Sequence, residues 1–420
     1  MLVDFSAKNF RSIRDSATLS FVASSDTSLR ATHCLATGFN SVPWVTRAAA
    51  VYGANASGKS NLIFGLGTMS QMVLASTAFS EAQFAECYTP FRLDQETAYE
   101  PTEFEVNLVL SGVRYEYGFS YDGRRIRSEW LTVYRTGKGQ RWFERSWDEE
   151  GSEERWNGFS SHFTGPRETW RKATRPQALF LTTAAQLNSE LLRPLFNWFG
   201  NDLLVLNSVG MLGVAYTLQR FDEPGFKERV LEVLRSADIH IADIRIEKKS
   251  GQQVNFSFEP GKPPTISARE GEVPDIAFGH RVEGGETLFF DRRFESVGTL
   301  QLFACIGPLL DAIEKGKLLV IDDVDASLHP MVTRFIVGLF HDPLVSQHNA
   351  QLWITTHDTA LLDTDLLRRD QFWFVDKDER QASILVPLTD FSPRKNEALE
   401  RGYLRGRYGG VPFISSPRLH

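Results

Sequence analysis

Gly53-Ala54-Asn55-Ala56-Ser57-Gly58-Lys59-Ser60 satisfies the pattern G-x-x-x-x-G-K-[ST] at every position. The apolar run Ala48-Ala49-Ala50-Val51-Tyr52 precedes it, and Ser60 to Met69 reads as a helix. The loop therefore stands where a buried strand hands over to a helix, which is the context this motif needs. Glycines let backbone N–H groups turn inward around phosphate oxygens, and a helix N-terminus adds the positive end of its dipole. Lys59 is placed to meet β- and γ-phosphates, and Ser60 to ligate Mg²⁺. Gly53, Asn55, Ala56, Ser57, Gly58 and Asn61 complete the candidate ATP-binding set.

Three further stretches extend the pattern. Leu318-Leu319-Val320-Ile321-Asp322-Asp323 is an apolar strand ending in two carboxylates. Asp322 has the position of a Mg²⁺-organising acid, and Asp323 that of a group orienting the attacking water. A strand followed by an Asp-rich turn is the plain alternative. Glu295-Ser296-Val297-Gly298-Thr299 precedes an apolar helix, Leu300 to Ile313, and reads either as a second anion site or as an ordinary N-cap. Thr355-Thr356-His357-Asp358 closes another buried strand, Leu352 to Thr356, and a lone histidine there is more often structural than catalytic. Four such elements in one order are hard to assign to chance.

The 420 residues allow two to three domains. The chain is 42% apolar and 24% charged, ordinary for a globular protein with a sizeable core. A net charge of −7 argues against a globally basic nucleic-acid wrapper. Cys34, Cys87 and Cys305 are too scattered for a disulfide framework or a zinc cluster. The N-terminus has no signal-peptide pattern, and no apolar run approaches a membrane span, so the expectation is a cytoplasmic protein.

Strands are expected at Leu2 to Phe10, Ala48 to Tyr52, Lys317 to Ile321, Leu352 to Thr356 and Phe372 to Val375. A period-2 hairpin is expected over 103–119 about Ser111-Gly112, and helices over Leu191 to Phe199 and Gly225 to Ala237. Lys262-Pro263-Pro264 and Gly284-Gly285 punctuate a strand-and-loop stretch. Residues 136–178, with Trp142, Trp147, Trp156 and Trp170 and no clean period, read as a loop-rich insertion. Its tryptophans either dock a partner or staple a surface subdomain. The fold class is α/β, with an antiparallel N-terminal portion, divided as 1–135, 136–290 and 291–420.

The order of these motifs resembles the ABC-type ATPase heads of the SMC, RecF and OLD families. Lys8-Asn9-Phe10-Arg11-Ser12-Ile13 is similar to the opening those heads carry on their first strand. The resemblance makes Gly53–Ser60 the Walker A loop and Asp322 the Walker B acid. It makes Ser296, Gly298 and Thr299 the signature, which grips the γ-phosphate of ATP bound to the opposite protomer. It also makes Asp325–Pro330 the D-loop and His357 the switch histidine. It implies an ATPase that uses ATP and Mg²⁺ and forms an ATP-sandwiched dimer with itself. The closing Arg401 to Pro412 resembles the end of stand-alone bacterial ATPases of RloA and abortive-infection type. That implies phage defence beside an effector such as a RloB-like or TOPRIM-type nuclease.

Two departures bear on mechanism. Asp323 stands where these heads usually carry Glu, one methylene longer, so slow hydrolysis is expected. Gln83, Gln95 and Gln186 are all candidates for the Q-loop by order and none by context. Sustained heptads are absent, which excludes an SMC coiled coil. Asp363 and Asp365, like Asp376 and Asp378, read as solvated turns, and no acidic cluster after His357 would build a TOPRIM centre. Arg401, Arg405 and Arg407 with Tyr403 and Tyr408 either contact DNA or pack the C-terminal segment onto a partner or the head; packing is favoured. A RecF-like DNA-repair ATPase is the alternative function.

Overall fold

The computed structural model describes residues 1–206, 211–257, 265–392, 394 and 397–412. Two compact units emerge: Met1–Asn207 with Ala312–Val324 and Ile336–His420, and Ser208–Asp311 with Asp325–Phe335.

The first unit holds two large sheets. One is seven-stranded and antiparallel throughout, built from β1 (Leu2–Lys8), β2 (Ala17–Ser20), β6 (Thr102–Leu110), β7 (Val113–Tyr121), β8 (Ile126–Tyr134), β9 (Gln140–Asp148) and β10 (Glu153–Phe159) in the order β10-β9-β8-β7-β6-β1-β2. The expected hairpin is β6–β7. Its turn residues Ser111 and Gly112 have φ of 48° and 75°, the left-handed pair that matches a hairpin's twist. A small hairpin, β3 (Cys34–Phe39) with β4 (Val42–Thr46), leads into β5 (Ala48–Gly53).

The other sheet has six strands in the order β11-β15-β16-β5-β17-β18. These are β11 (Leu203–Leu206), β15 (Leu318–Ile321), β16 (Gln351–Thr356), β5, β17 (Phe372–Lys377) and β18 (Ser383–Pro387). All neighbours run parallel except β18, which returns antiparallel along β17. β5, β15 and β16 are buried along their whole length, which is why they read as continuous apolar runs and not as alternations.

Helix α1 (Lys59–Ala75) packs against β1, β5 and β6. It buries Leu62, Ile63, Leu66, Met69, Met72 and Val73, worth on the order of 10 kcal/mol at most. Gly65 allows the close approach: a Cβ there would meet the Phe104 and Phe5 rings at 3.3 and 3.4 Å. Phe5 in turn lies 6.2 Å from the Trp353 ring of β16, so both sheets share one core.

Residues 136–178 differ from the loop-rich reading. β9 and β10 extend the antiparallel sheet as its edge, and Arg167–Ala173 is helical. The period is hidden because the β8–β9 register shifts between Leu131 and Thr132, leaving Trp142 and Phe143 both buried although consecutive. Trp142, Phe143, Phe159, Phe163, Trp170 and Phe180 form an aromatic cluster. Buried Glu129 links this part to α2 (Phe180–Gln186): its carboxylate accepts from Phe180 N, Leu181 N, Tyr117 Oη and Arg145. The helix expected over Leu191 to Phe199 spans Arg193–Asn197 and continues as a wider turn to Asp202.

The second unit contains α3 (Met211–Gln219), α4 (Phe226–Ser236) and a three-stranded antiparallel sheet, β12 (Asp243–Ser257), β13 (Thr265–Arg281) and β14 (Thr287–Asp291). The Lys262-Pro263-Pro264 punctuation lies outside the described residues. Phe221, Phe226, Phe278 and Phe303 pack together, and Thr217 Oγ1 donates to Phe303 O and accepts from Gly307 N. α5 (Val297–Lys315) starts three residues earlier than its apolar run. Contrary to the reading that nothing approaches a membrane span, this helix is long and apolar enough for one, yet 72% of that apolar window is buried inside the protein. α6 (Pro330–His341) and α7 (Leu399–Leu404) complete the helices used below.

Candidate functional site

Three neighbouring parallel strands, β15, β16 and β5, end side by side. Their carboxyl ends carry Asp322-Asp323, Thr355-Thr356-His357 and Gly53–Ser60, where an α/β sheet places its ligands.

The loop is tightly built. A Cβ on Gly53 would lie 2.5 Å from Ser57 Oγ and 2.6 Å from Val375 O. Gly58, at φ 106°, begins α1 with its Cα against the Ser383 and Ser12 hydroxyls. Those hydroxyls form a relay behind the loop: Asn61 Nδ2 donates to Ser12 Oγ (2.6 Å), Ser12 and Ser383 share a 2.7 Å bond, and Ser383 donates to Ser57 O (2.5 Å). Asn55 and Ala56 are exposed at the crest, Ala56 at φ 64°. Ser57 is buried, and its Oγ has no hydrogen-bond partner among the described residues.

Lys59 is 5% exposed and curls back on its own loop, donating to Gly53 O (2.7 Å) and Ala54 O (3.3 Å). Its Nζ also lies 3.0 Å from His357 Nε2. His357 Nε2 is 3.9 Å from Asp323 Oδ1. Thr355 joins the two acids: its hydroxyl donates to Asp322 Oδ1 (2.5 Å) and accepts from Asp323 N (2.8 Å). Asp323 takes φ 48°, a left-handed turn that aspartate tolerates better than most residues. Lys59, Asp322, Asp323 and His357 thus belong to one group, drawn from three strand ends.

Ser296, Gly298 and Thr299 lie in the second unit. Ser296 caps α5: Thr299 N donates to its Oγ (3.0 Å), and the two hydroxyls are 2.9 Å apart. A Cβ on Gly298 would meet Ser327 O at 2.9 Å, so the signature-like turn rests on the D-loop-like segment. The N-cap reading of the stretch is the one these bonds bear out.

Beside the loop is a cavity of about 490 Å³ whose walls include Arg11, Ser12, Ala56, Phe91, Arg92 and Lys377. Three cations and no carboxylate line it. The Arg11 guanidinium lies 4.3 Å from the Phe64 ring centre, and burial holds Lys377 below its ordinary pKa. Arg11 and Ser12 stand in the quoted first-strand motif and Ala56 in the phosphate loop, whereas Phe91, Arg92, Lys377 and Ser383 carry no sequence signal. Of the glutamines, Gln83 bonds Ser80 and Gln186 bonds Thr77, while Gln95 is exposed two residues past the cavity wall.

The donor set fits ATP with Mg²⁺. It offers an ammonium inside a backbone loop, a hydroxyl on the first helical turn at Ser60, a carboxylate at Asp322 and a buried hydroxyl at Ser57. Tyr403 and Tyr408 are buried and stack on Phe374 at 5.6 and 5.3 Å, so they are not available for base stacking.

A P-loop between a central parallel strand and its helix, with an acidic pair on a nearby strand, defines a P-loop nucleotide-binding domain. The chain belongs to the family described as "AAA domain, putative AbiEii toxin, Type IV TA system", whose model matches residues 48–363. No curated protein matches it significantly. It is similar to an SMC head bound to the C-terminal winged-helix domain of ScpA, at 13% identity and TM-score 0.47 over 92% of this chain and 97% of that one. The SMC head domain from Thermotoga maritima aligns at 14% identity and TM-score 0.41 over 92% and 98%. An SMC head with an extended coiled coil, bound to a ScpA domain derived from Pyrococcus furiosus, aligns at 12% and 0.42 over 93% and 97%.

Proposed function

We propose that the chain binds and slowly hydrolyses ATP, and that ATP closes two copies into a sandwich dimer. The observation that carries this reading is the convergence of Lys59, His357 and Asp323 within 3.9 Å steps at one end of the parallel sheet. Lys59 leaves the Gly53 and Ala54 carbonyls for the β- and γ-phosphates. Ser60 and Asp322 would hold Mg²⁺, which when bound would neutralise charge on the phosphate oxygens. Asp323 orients the water that attacks the γ-phosphorus as the bond to the β-phosphate oxygen breaks, and His357 stabilises the charge that develops. Ser296, Gly298 and Thr299 close over the nucleotide of the other copy. ATP then favours the closed state because it contacts both halves.

The decisive experiment measures phosphate release and molar mass in ATP for the wild type, Lys59→Ala and Asp323→Asn. Lys59→Ala should lose ATP binding. Asp323→Asn should bind ATP, stay dimeric and turn over at least tenfold more slowly. Unchanged binding in the first variant, or unchanged turnover in the second, would sink the assignment.

We read the biological role as sensor or regulator of a bacterial anti-phage system, switching an effector nuclease or toxin with nucleotide state. The toxin named in the family's description supports a defence setting. Affinity purification with and without ATP tests it, by whether an effector is retained or released. The DNA-repair alternative loses the aromatic half of its surface with the burial of Tyr403 and Tyr408.

A further inference from the structure

The segment Leu399–Pro412 touches both halves of the candidate site. Gly410, at φ 68°, sits directly on the phosphate loop: a Cβ there would lie 3.1 Å from Gly53 Cα and 3.3 Å from Val375 O. Two residues without side chains therefore face each other at the loop's first position. Gly410 is held in place from two sides, its N–H donating to Asp376 Oδ2 (3.1 Å) and its carbonyl accepting from Tyr403 Oη (3.0 Å). The Tyr403 ring meets Tyr52 edge-on at 5.5 Å, and Tyr52 Oη donates to the carbonyl of Asp358, the residue after His357 (3.1 Å). One turn earlier, Glu400 accepts from Thr359 Oγ1 (2.9 Å). Tyr408 ties the segment to β17 by stacking on Phe374, and donates to Glu397 just before the segment (2.5 Å).

We propose that Leu399–Pro412 is a brace that fixes the phosphate loop and the His357 loop at their working separation, with Gly410 and Tyr403 as its positioning residues. Neither residue touches the reacting atoms. They act through Gly53 on one side and Asp358 on the other, and a displacement of a few tenths of an ångström at the loop matters because its N–H groups must be preorganised for phosphate. The aspartate read as a solvated turn, Asp376, is part of this device.

The proposal rests on the ATPase reading for its kinetic test and stands apart from it in a second. In the full chain, Gly410→Ala should lower kcat at least tenfold while KM for ATP moves less than threefold. Tyr403→Phe, which removes only the hydroxyl, should give a smaller loss of the same kind. Losses that simply track a fall in folded protein, or a loss confined to KM, would overturn the brace. Hydrogen exchange of the nucleotide-free chain is the independent arm: Tyr403→Ala, which removes both the hydroxyl on Gly410 and the ring against Tyr52, should speed exchange both at 53–60 and at 357–361. Faster exchange confined to 399–412 would overturn the proposal even in an active enzyme. A wild type with no turnover, but with exchange rising at both loops in the variant, would remove the ATPase reading and keep the brace.

Discussion

Lys59 Nζ and His357 Nε2 stand 3.0 Å apart across 298 residues of chain. At this distance the Lys59 ammonium can donate to an unprotonated His357 Nε2. The lysine is held by groups that can release it: two carbonyls of its own loop and one imidazole. Replacing His357 by alanine should reduce kcat by roughly 10²-fold, the usual effect of one transition-state donor, with little change in ATP affinity. Steady-state phosphate release and equilibrium nucleotide binding separate the two.

Thr355 serves both acids of the neighbouring strand with one hydroxyl. Thr355→Val keeps the shape and strips Asp322 of a buried partner. The expected loss is about 1–3 kcal/mol of stability, together with reduced turnover. Thr355→Ser should restore both, as read from denaturant midpoints and kinetics.

Ser383 reaches the phosphate loop from an edge strand and bonds the Ser57 carbonyl. Removing its hydroxyl should weaken ATP binding about fivefold, close to 1 kcal/mol, through a looser loop. Calorimetric titration of Ser383→Ala measures this directly, and an unchanged affinity would mean that the relay is only structural.

Arg145 and Glu129 are 2% and fully buried, respectively, at 2.7 Å. Arg145→Met leaves the carboxylate with Phe180 N, Leu181 N and Tyr117 Oη but without its countercharge. A loss of about 3–5 kcal/mol is expected, and adding Glu129→Gln should recover part of it. Thermal unfolding of the single and double variants tests the coupling.

His33 and His341 stack at 3.8 Å. Burial lowers the pKa of both rings, and for His341 the neighbouring His33 and Arg47 lower it further. The facing groups also include Arg368, Asp370 and Gln371. A histidine depressed in the folded state favours its neutral form there. Its stability contribution is therefore full above the ordinary value near 6.5 and is lost as pH falls below it. Unfolding midpoints should drop from pH 7 towards pH 5, with a shallower drop in His341→Phe.

The phosphate loop, the acidic strand end and the histidine strand end were legible because each couples a fixed spacing to a short apolar run. β9 and β10 were not, since a register shift and an exposed edge erase the alternation that marks a strand. Arg145 adds to the disguise, a charged residue in a core position made tolerable by Glu129, Glu154 and the Ala178 carbonyl. Ser383 and Lys377 were invisible for another reason. They reach the site only because β17 and β18 are laid beside β5, and nothing in their local sequence encodes that neighbour.

The sheet order has a consequence for biosynthesis. β5 lies between β16 and β17, so it has neither sheet neighbour until roughly 300 further residues have been made. At ribosomal speeds of about 5–20 residues per second, that leaves an all-buried strand without its partners for roughly 15–60 s. The nascent chain must carry this apolar edge across roughly 300 residues of synthesis, the condition under which holding chaperones are needed. Ribosomes that stall before β16 would release fragments prone to aggregate through that edge.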